Sequence, residues 1–380
     1  MDGLKVKRYS NLYNKIDLRY INYIYNSQIR VNTKNKVKIR KFEDFYSLNV
    51  SRAMECFDRK NYFPSKYNVF LVKEPKYRVI MSQNIFDKLI NHVIANILID
   101  VLVPTLIDTN VATIRFKGTH YGIKCLKRYL NELKQGEIYA LKFDISKYFY
   151  NIDHNILKEI VCKKIKDKDF LKILFDIIDS TNYGVNNKIN VIKKNEINKI
   201  KKMHLKNESA KINEIENLPI YKYGKGLPIG NMTSQILAVY YLNELDHFIK
   251  EKLKIKHYIR YMDDGVLLSY DKEYLKYCLK EITKITDKYK LKLNNKTKII
   301  NITKGGIDFL GFRFYIINNK VILKVRNSCK KKLKKKMKMI RKGKYSSKKA
   351  LQIVNSYKGH LKWGNCFNLI KTNGLNKIHK

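Results

Sequence analysis

Tyr261-Met262-Asp263-Asp264 stands between two apolar, β-rich runs in HYIRYMDDGVLLSY, and that enclosure constrains the fold more than any other feature of the sequence. The pattern suits a strand, a tight turn and a second strand. It carries an adjacent acidic pair to a turn with buried flanks, which is costly for charge unless a cation compensates. Asp144, at the end of the apolar run EIYALKFDI (137–145), is in the same predicament. Three carboxylates on adjoining strand ends can hold two Mg²⁺ ions, which stabilise the attacking and leaving oxygens in phosphoryl transfer. Asp-Asp as ordinary turn chemistry, with Asp144 as a helix cap, accounts for the same residues without a metal.

The charge balance narrows the partner. Seventy-nine Lys and Arg against 33 Asp and Glu leave a formal net charge of +46 over 380 residues. A polyanion is the natural counterpart, and nucleic acid suits this excess better than a membrane. No apolar run reaches about 18 residues and no signal pattern opens the chain, so the expected location is the cytoplasm, with no membrane partner. The six cysteines lie far apart without a CxxC pair, which favours reduced packing residues over disulfides or a structural zinc site. Length and a 44% hydrophobic content predict two or three subdomains around a sizeable core.

Along the chain, residues 1–68 read as a basic, aromatic amino-terminal extension with helices. Residues 69–136 open with two short strands around Glu74-Pro75, followed by a helix over 84–103. In 137–308 the pattern predicts a strand at 137–145, helix over 153–179, 232–253 and 272–290, and the strand–turn–strand around Asp263. Within it, 183–222 is rich in Asn, Lys and Glu with poor hydrophobic spacing, which predicts an inserted loop or flexible arm. Residues 309–380 hold 21 Lys and Arg and no acid, and predict short strands leading into a basic helical module.

Four blocks tie these pieces together: KFDISKYFYNID (142–153), GLPIGNMTSQILAVYYLNELDHF (226–248), RYMDDGVLL (260–268) and FLGFRF (309–314). In order and approximate spacing the chain resembles the reverse transcriptase family, from about Phe70 to Asn368. The resemblance implies an α+β right-hand polymerase: fingers at 69–136, a palm with an antiparallel sheet at 137–308, and a primer-grip hairpin and basic helical thumb at 309–380. It further implies synthesis of DNA on an RNA template from dNTPs with two Mg²⁺ ions, Mn²⁺ being a substitute. By the same resemblance Asp144 and Asp263 are the principal metal ligands and Asp264 the third carboxylate. Phe149 matches the bulky gate that excludes a ribose 2′-OH, though it also reads as a core aromatic in YFY. Arg78 resembles the arginine that clamps the incoming triphosphate, work that Lys73 and Lys76 could share. Lys296 resembles a lysine that assists the leaving pyrophosphate. Tyr261, Met262, Leu310, Gly311, Lys334, Lys335 and Trp363 are the expected primer or template contacts.

Residues 229–235 depart from the usual pattern of that family. Where most members have QGxxxSP, this chain reads IGxxxSQ, which resembles the enzymes of diversity-generating retroelements and some defence-associated relatives. Ile229 removes an amide near the incoming base, Gly230 permits close backbone approach to nucleotide or template, and Gln235 replaces the proline; all three are expected nucleotide contacts, with looser pairing selection. In KKKLKKKMKMIRK (330–342), cations surround Leu333, Met337 and Ile340 at helical spacing, suiting a helix that presents charge to a nucleic-acid backbone. The expected partners are a structured noncoding RNA as template, the cDNA/RNA hybrid, dNTPs and an accessory protein. The thumb-like module leaves no room for an RNase H or sizeable endonuclease domain before the chain ends, so integration is expected to need partners or not to occur. A template-independent or protein-primed polymerase of the abortive-infection type, and a non-catalytic maturase-like RNA-binding protein, are the alternatives. Oligomeric state, and hypermutation versus phage defence as the role, stay open.

Overall fold

The computed structural model describes residues 7–73, 76–203 and 207–377, an α+β chain whose three sheets are antiparallel among the described residues. The chain divides into two compact units. The first takes the described residues of Met1–Leu106, Ile145–Glu244 and Ile285–Lys292; the second takes those of Ile107–Asp144, Leu245–Lys284 and Leu293–Lys380.

The first unit is mainly helical. Its one hairpin pairs β1 (Asn68–Val72) with β2 (Arg78–Ser82), from Asn68↔Ser82 to Val72↔Arg78. The expected turn residues Glu74 and Pro75 lie outside the described residues. Helix Ile85–Leu102 starts where the Asn84 side chain accepts the Asp87 N–H at 2.7 Å, and its apolar side chains, present on every face, are almost all buried. The amino-terminal region forms helices Leu18–Ile24, Lys36–Glu43 and Tyr46–Asp58. The helical stretch expected over 153–179 breaks into His154–Lys164 and Lys168–Asp179, because the Asp167 side chain accepts the Phe170 N–H at 3.0 Å and starts a new helix.

The described residues of 183–222 are largely helical, not a loop. They form helices Val185–Lys202 and Glu208–Glu216, which bury Val185, Ile189, Ile200 and Ile215 against Val79 and Met81 of β2. Few apolar residues suffice because Lys193 Nζ ties the helices together, donating to the Leu218 carbonyl at 2.6 Å and the Glu216 carbonyl at 3.0 Å.

In the second unit, β3 (Tyr139–Phe143), β4 (His257–Tyr261), β5 (Asp264–Ser269) and β6 (Lys298–Asn301) form a sheet in the order β4-β5-β3-β6. A second sheet contains β7 (Ile307–Phe309), β8 (Phe312–Ile317) and β9 (Lys320–Val325). The boundary expected between 308 and 309 therefore falls inside a strand, because Asp308 and Phe309 both pair with β8. Alternate residues Phe312 and Phe314 join Ala140, Val266 and Leu268 in one core, closed by Leu126 and Leu130 of helix Thr119–Leu133. Helix Asn327–Arg341 adds Leu333 and Met337 to that core, one turn apart, and leaves Lys334, Lys335 and Lys336 exposed between them. All six cysteines are free, and among the described residues no helix is long and apolar enough to cross a membrane.

Candidate active site

Strand pairing brings the three acidic residues together within the second unit. The register Phe143↔Gly265 carries Asp144 to the level of Asp264 on the neighbouring strand. Close approach requires the glycine: a β-carbon at 265 would stand 2.3 Å from the Phe143 ring. On the other side of β5, Tyr261 pairs with Asp264, so Met262 and Asp263 form a two-residue turn. Met262 carries φ +56°, a conformation that usually falls to glycine at the first turn position. Arg260 holds it there by donating from Nη1 to the Met262 carbonyl at 2.5 Å. The same guanidinium grips Asp246 through two bonds, Nε to Oδ1 at 2.7 Å and Nη2 to Oδ2 at 2.6 Å. The Tyr258 hydroxyl donates to Asp246 Oδ1 at 2.7 Å, completing a buried bracket beneath the turn.

Burial, together with the neighbouring Asp144 charge, pushes Asp263 up to about 7. Burial also raises Asp264, against the pull of Lys142, whose Nζ lies 3.2 Å from Asp264 Oδ2. Asp264 Oδ1 is buried and has no hydrogen-bond partner among the described residues. Asp144 and Asp263 at adjoining strand ends, beside an orphaned carboxylate oxygen, supply the oxygen donors that a hard cation takes. Among the described residues no three acidic, His or Cys side chains are gathered closely enough to hold a metal ion by themselves, and Lys142 pairs with Asp264. The Asn294 N–H donates to the Asp144 carbonyl at 2.7 Å, and Lys296, two residues on, is exposed on that anchored turn.

The first unit contains the remaining nucleotide candidates. Phe149 lies in helix Tyr148–Asn151, partly exposed between buried Tyr148 and Tyr150, with its ring edge-on to Tyr148 at 5.9 Å. Lys147, with φ +48°, makes the sharp turn into that helix. Arg78 is exposed at the start of β2. Lys73 is not a free cation: its Nζ lies 2.6 Å from Glu196 Oε1 on the inserted helix. Lys76 is exposed. Ile229 packs against the apolar cluster around Val79 and Met81, and its carbonyl accepts the Met81 N–H at 2.9 Å. Gly230, with φ +138°, approaches protein rather than leaving room for a ligand, since a β-carbon would stand 2.3 Å from the Met81 carbonyl oxygen. Gln235 is exposed on helix Met232–Tyr241.

Back in the second unit, Leu310 (φ +45°) and Gly311 (φ +90°) form the β7–β8 turn. The Leu310 side chain packs inward over Gly122, so the backbone is the part that the turn presents. Tyr261 is partly buried against the same core. Trp363 is not an open platform: His120 stacks on it at 4.5 Å and 20°, and Lys124 lies 5.0 Å from the ring centroid. Sequence reasoning missed Lys142, Arg260 and Asp246. Lys142 precedes Asp144 by two residues and so shares its face of the strand, a signal that was available; the partnership of Arg260 with Asp246 carries no local signal.

The sequence model of the family described as reverse transcriptase (RNA-dependent DNA polymerase) matches residues 71–314. The group II intron-encoded protein LtrA of Lactococcus lactis subsp. cremoris is 23% identical over 217 residues, 56% of this chain and 30% of LtrA. The chain thus spans less than a third of the length of that curated relative. Among solved structures, apo telomerase from Candida tropicalis truncated from the C-terminal domain aligns with TM-score 0.45 and 14% identity, covering 69% of this chain and 55% of that one. Telomerase from Candida albicans with a TWJ fragment of telomeric RNA aligns with TM-score 0.43 and 16% identity, covering 74% and 52%.

Proposed function

The chain belongs to the reverse transcriptase (RNA-dependent DNA polymerase) family, and from that premise we propose that it synthesises DNA on an RNA template from dNTPs, in a prokaryotic retroelement or antiviral system. The observation that carries this reading is the Asp144–Asp263 pair beside the orphaned oxygen of Asp264. Partly buried carboxylates that repel one another are stabilised by protons or cations, and packing alone gives no reason to assemble three of them at adjoining strand ends.

Domains of this family generally use divalent metal ions; we assign Mg²⁺, held by Asp144 and Asp263 with Asp264 as the third carboxylate. Bound there, the metal would supply Lewis-acid stabilisation of the charge that develops on the phosphoryl oxygens. The chain's own contributions follow from the geometry. The Arg260–Asp246 bracket fixes the turn that aims Asp263. Lys142 balances the charge of Asp264, which would hold the metal as the third carboxylate. Arg78 offers a forked donor to a triphosphate, and Phe149, partly exposed in YFY, supplies the bulk that discriminates against a 2′-OH. Lys334 and Lys335 offer charge to the phosphates of an RNA template or RNA–DNA hybrid.

Fingers (69–136), palm (137–308) and thumb (309–380) describe the division of labour we assign, with the last boundary moved to keep β7 whole. Extension of a primer on poly(rA) with dTTP and Mg²⁺, comparing the natural chain with Asp263→Ala, tests the reading. RNA-templated synthesis that vanishes in the variant supports it; synthesis that needs no template points to the abortive-infection type instead.

A further inference from the structure

The β1–β2 hairpin closes on itself through its own register, from Asn68↔Ser82 to Val72↔Arg78. A two-stranded ribbon is marginal alone and twists freely, so something else must fix where its exposed residues point. The inserted helices do this from both sides of the tip. On the β1 side, Lys73 Nζ reaches Glu196 Oε1 at 2.6 Å, and Glu196 is only 8% exposed. On the β2 side, the Tyr77 N–H donates to Glu214 Oε1 at 3.1 Å, one residue before Arg78. Lys188 Nζ adds a bond to the Tyr67 carbonyl at 2.8 Å, just ahead of β1. Beneath these contacts Ile189, Ile200 and Ile215 pack on Val79 and Met81. A nearly buried carboxylate paired with a lysine does not arise from a solvated, charge-rich arm.

We propose that Glu196 and Glu214 are positioning residues: they clasp the hairpin on either side of its tip and fix where Arg78 presents its guanidinium. The arm thereby sets affinity for the incoming nucleoside triphosphate and takes no part in the chemical step. This rests on the reading of Arg78 as a triphosphate contact. Glu214 is exposed, so its truncation leaves the core intact, and glutamine there keeps an oxygen that accepts the Tyr77 N–H.

The test compares the natural chain with Glu214→Ala, Glu214→Gln, Glu196→Ala and the double alanine variant. Hydrogen exchange over 68–72 and 78–82 is measured beside KM and kcat for dTTP and affinity for primed poly(rA). Loss of one such bond is expected to raise KM about threefold and loss of both about tenfold, with faster exchange in the hairpin. kcat and template affinity stay within about twofold, and Glu214→Gln behaves as the natural chain. An unchanged KM in the double variant, or a loss confined to kcat, overturns the clasp while leaving the polymerase reading intact. A natural chain that extends no primer overturns the polymerase reading and the nucleotide role together, whatever the exchange data show.

Discussion

Arg260 and Asp246 form an ion pair at 2.6 Å with neither side chain exposed, and the remaining arm of the guanidinium supports the carbonyl of Met262. The pair therefore links a buried charge to the turn that aims Asp263. Replacing Arg260 by Met leaves the Asp246 carboxylate buried and uncompensated, an arrangement that costs about 3–5 kcal/mol. Urea denaturation of the variant measures this; a loss below about 1 kcal/mol would show that the bracket contributes no more than a surface pair.

Asp263 binds its proton more tightly in the folded chain than in the unfolded one, being raised from 3.8 to about 7 by burial and by Asp144. Between those values the native state holds more protons than the unfolded state, so the stability of the metal-free chain falls as pH rises through that window and levels off above it. A divalent cation competes with the same proton. The increase in Tm on adding Mg²⁺ to chelator-treated protein is thus expected to be small at pH 5 and large at pH 8. Asp263→Asn is expected to flatten that difference, and an equal Mg²⁺ effect at both pH values would place the proton elsewhere.

Phe149 stands partly exposed while its neighbours Tyr148 and Tyr150 are buried. Cutting it back to Ala is expected to raise the kcat/KM ratio of UTP to dTTP by at least about tenfold, the scale of a lost steric contact. Competition assays with both sugars read the ratio directly; unchanged selection would leave Phe149 as a packing residue.

Lys334 and Lys335 point away from the core that Leu333 and Met337 enter. If each neutralises one phosphate, the double Ala variant lowers the salt dependence of binding by about 1.4–1.8 in the slope of log K against log salt. Anisotropy titrations of an RNA–DNA hybrid at several salt concentrations check this, and an unchanged slope removes the helix from the binding surface.

The carboxylates were legible because a charge at the end of an apolar strand needs a reason, and Asp144, Asp263 and Asp264 each stand there. Amphipathic spacing likewise marked Leu333 and Met337. The inserted helices were hidden by composition: Val185, Ile189 and Ile200 keep helical spacing, but Lys and Asn fill the gaps so densely that the stripe disappears. Nothing local could show that Lys73 is bound by a glutamate far along the chain, or that His120 covers Trp363. Gly230 was legible as a close approach, but whether the approaching group is a ligand or the Met81 carbonyl depends on a tertiary contact.

The Phe143 ring fills the space that a side chain at 265 would need. These two positions therefore form one unit of inheritance. A larger residue at 265 is tolerable only if the aromatic at 143 shrinks in the same lineage; enlargement at 265 alone pushes apart the strands carrying Asp144 and Asp264, whereas shrinkage at 143 alone leaves a cavity. Among descendants of this chain that keep the three carboxylates, a residue larger than glycine at 265 should appear only beside a smaller one at 143.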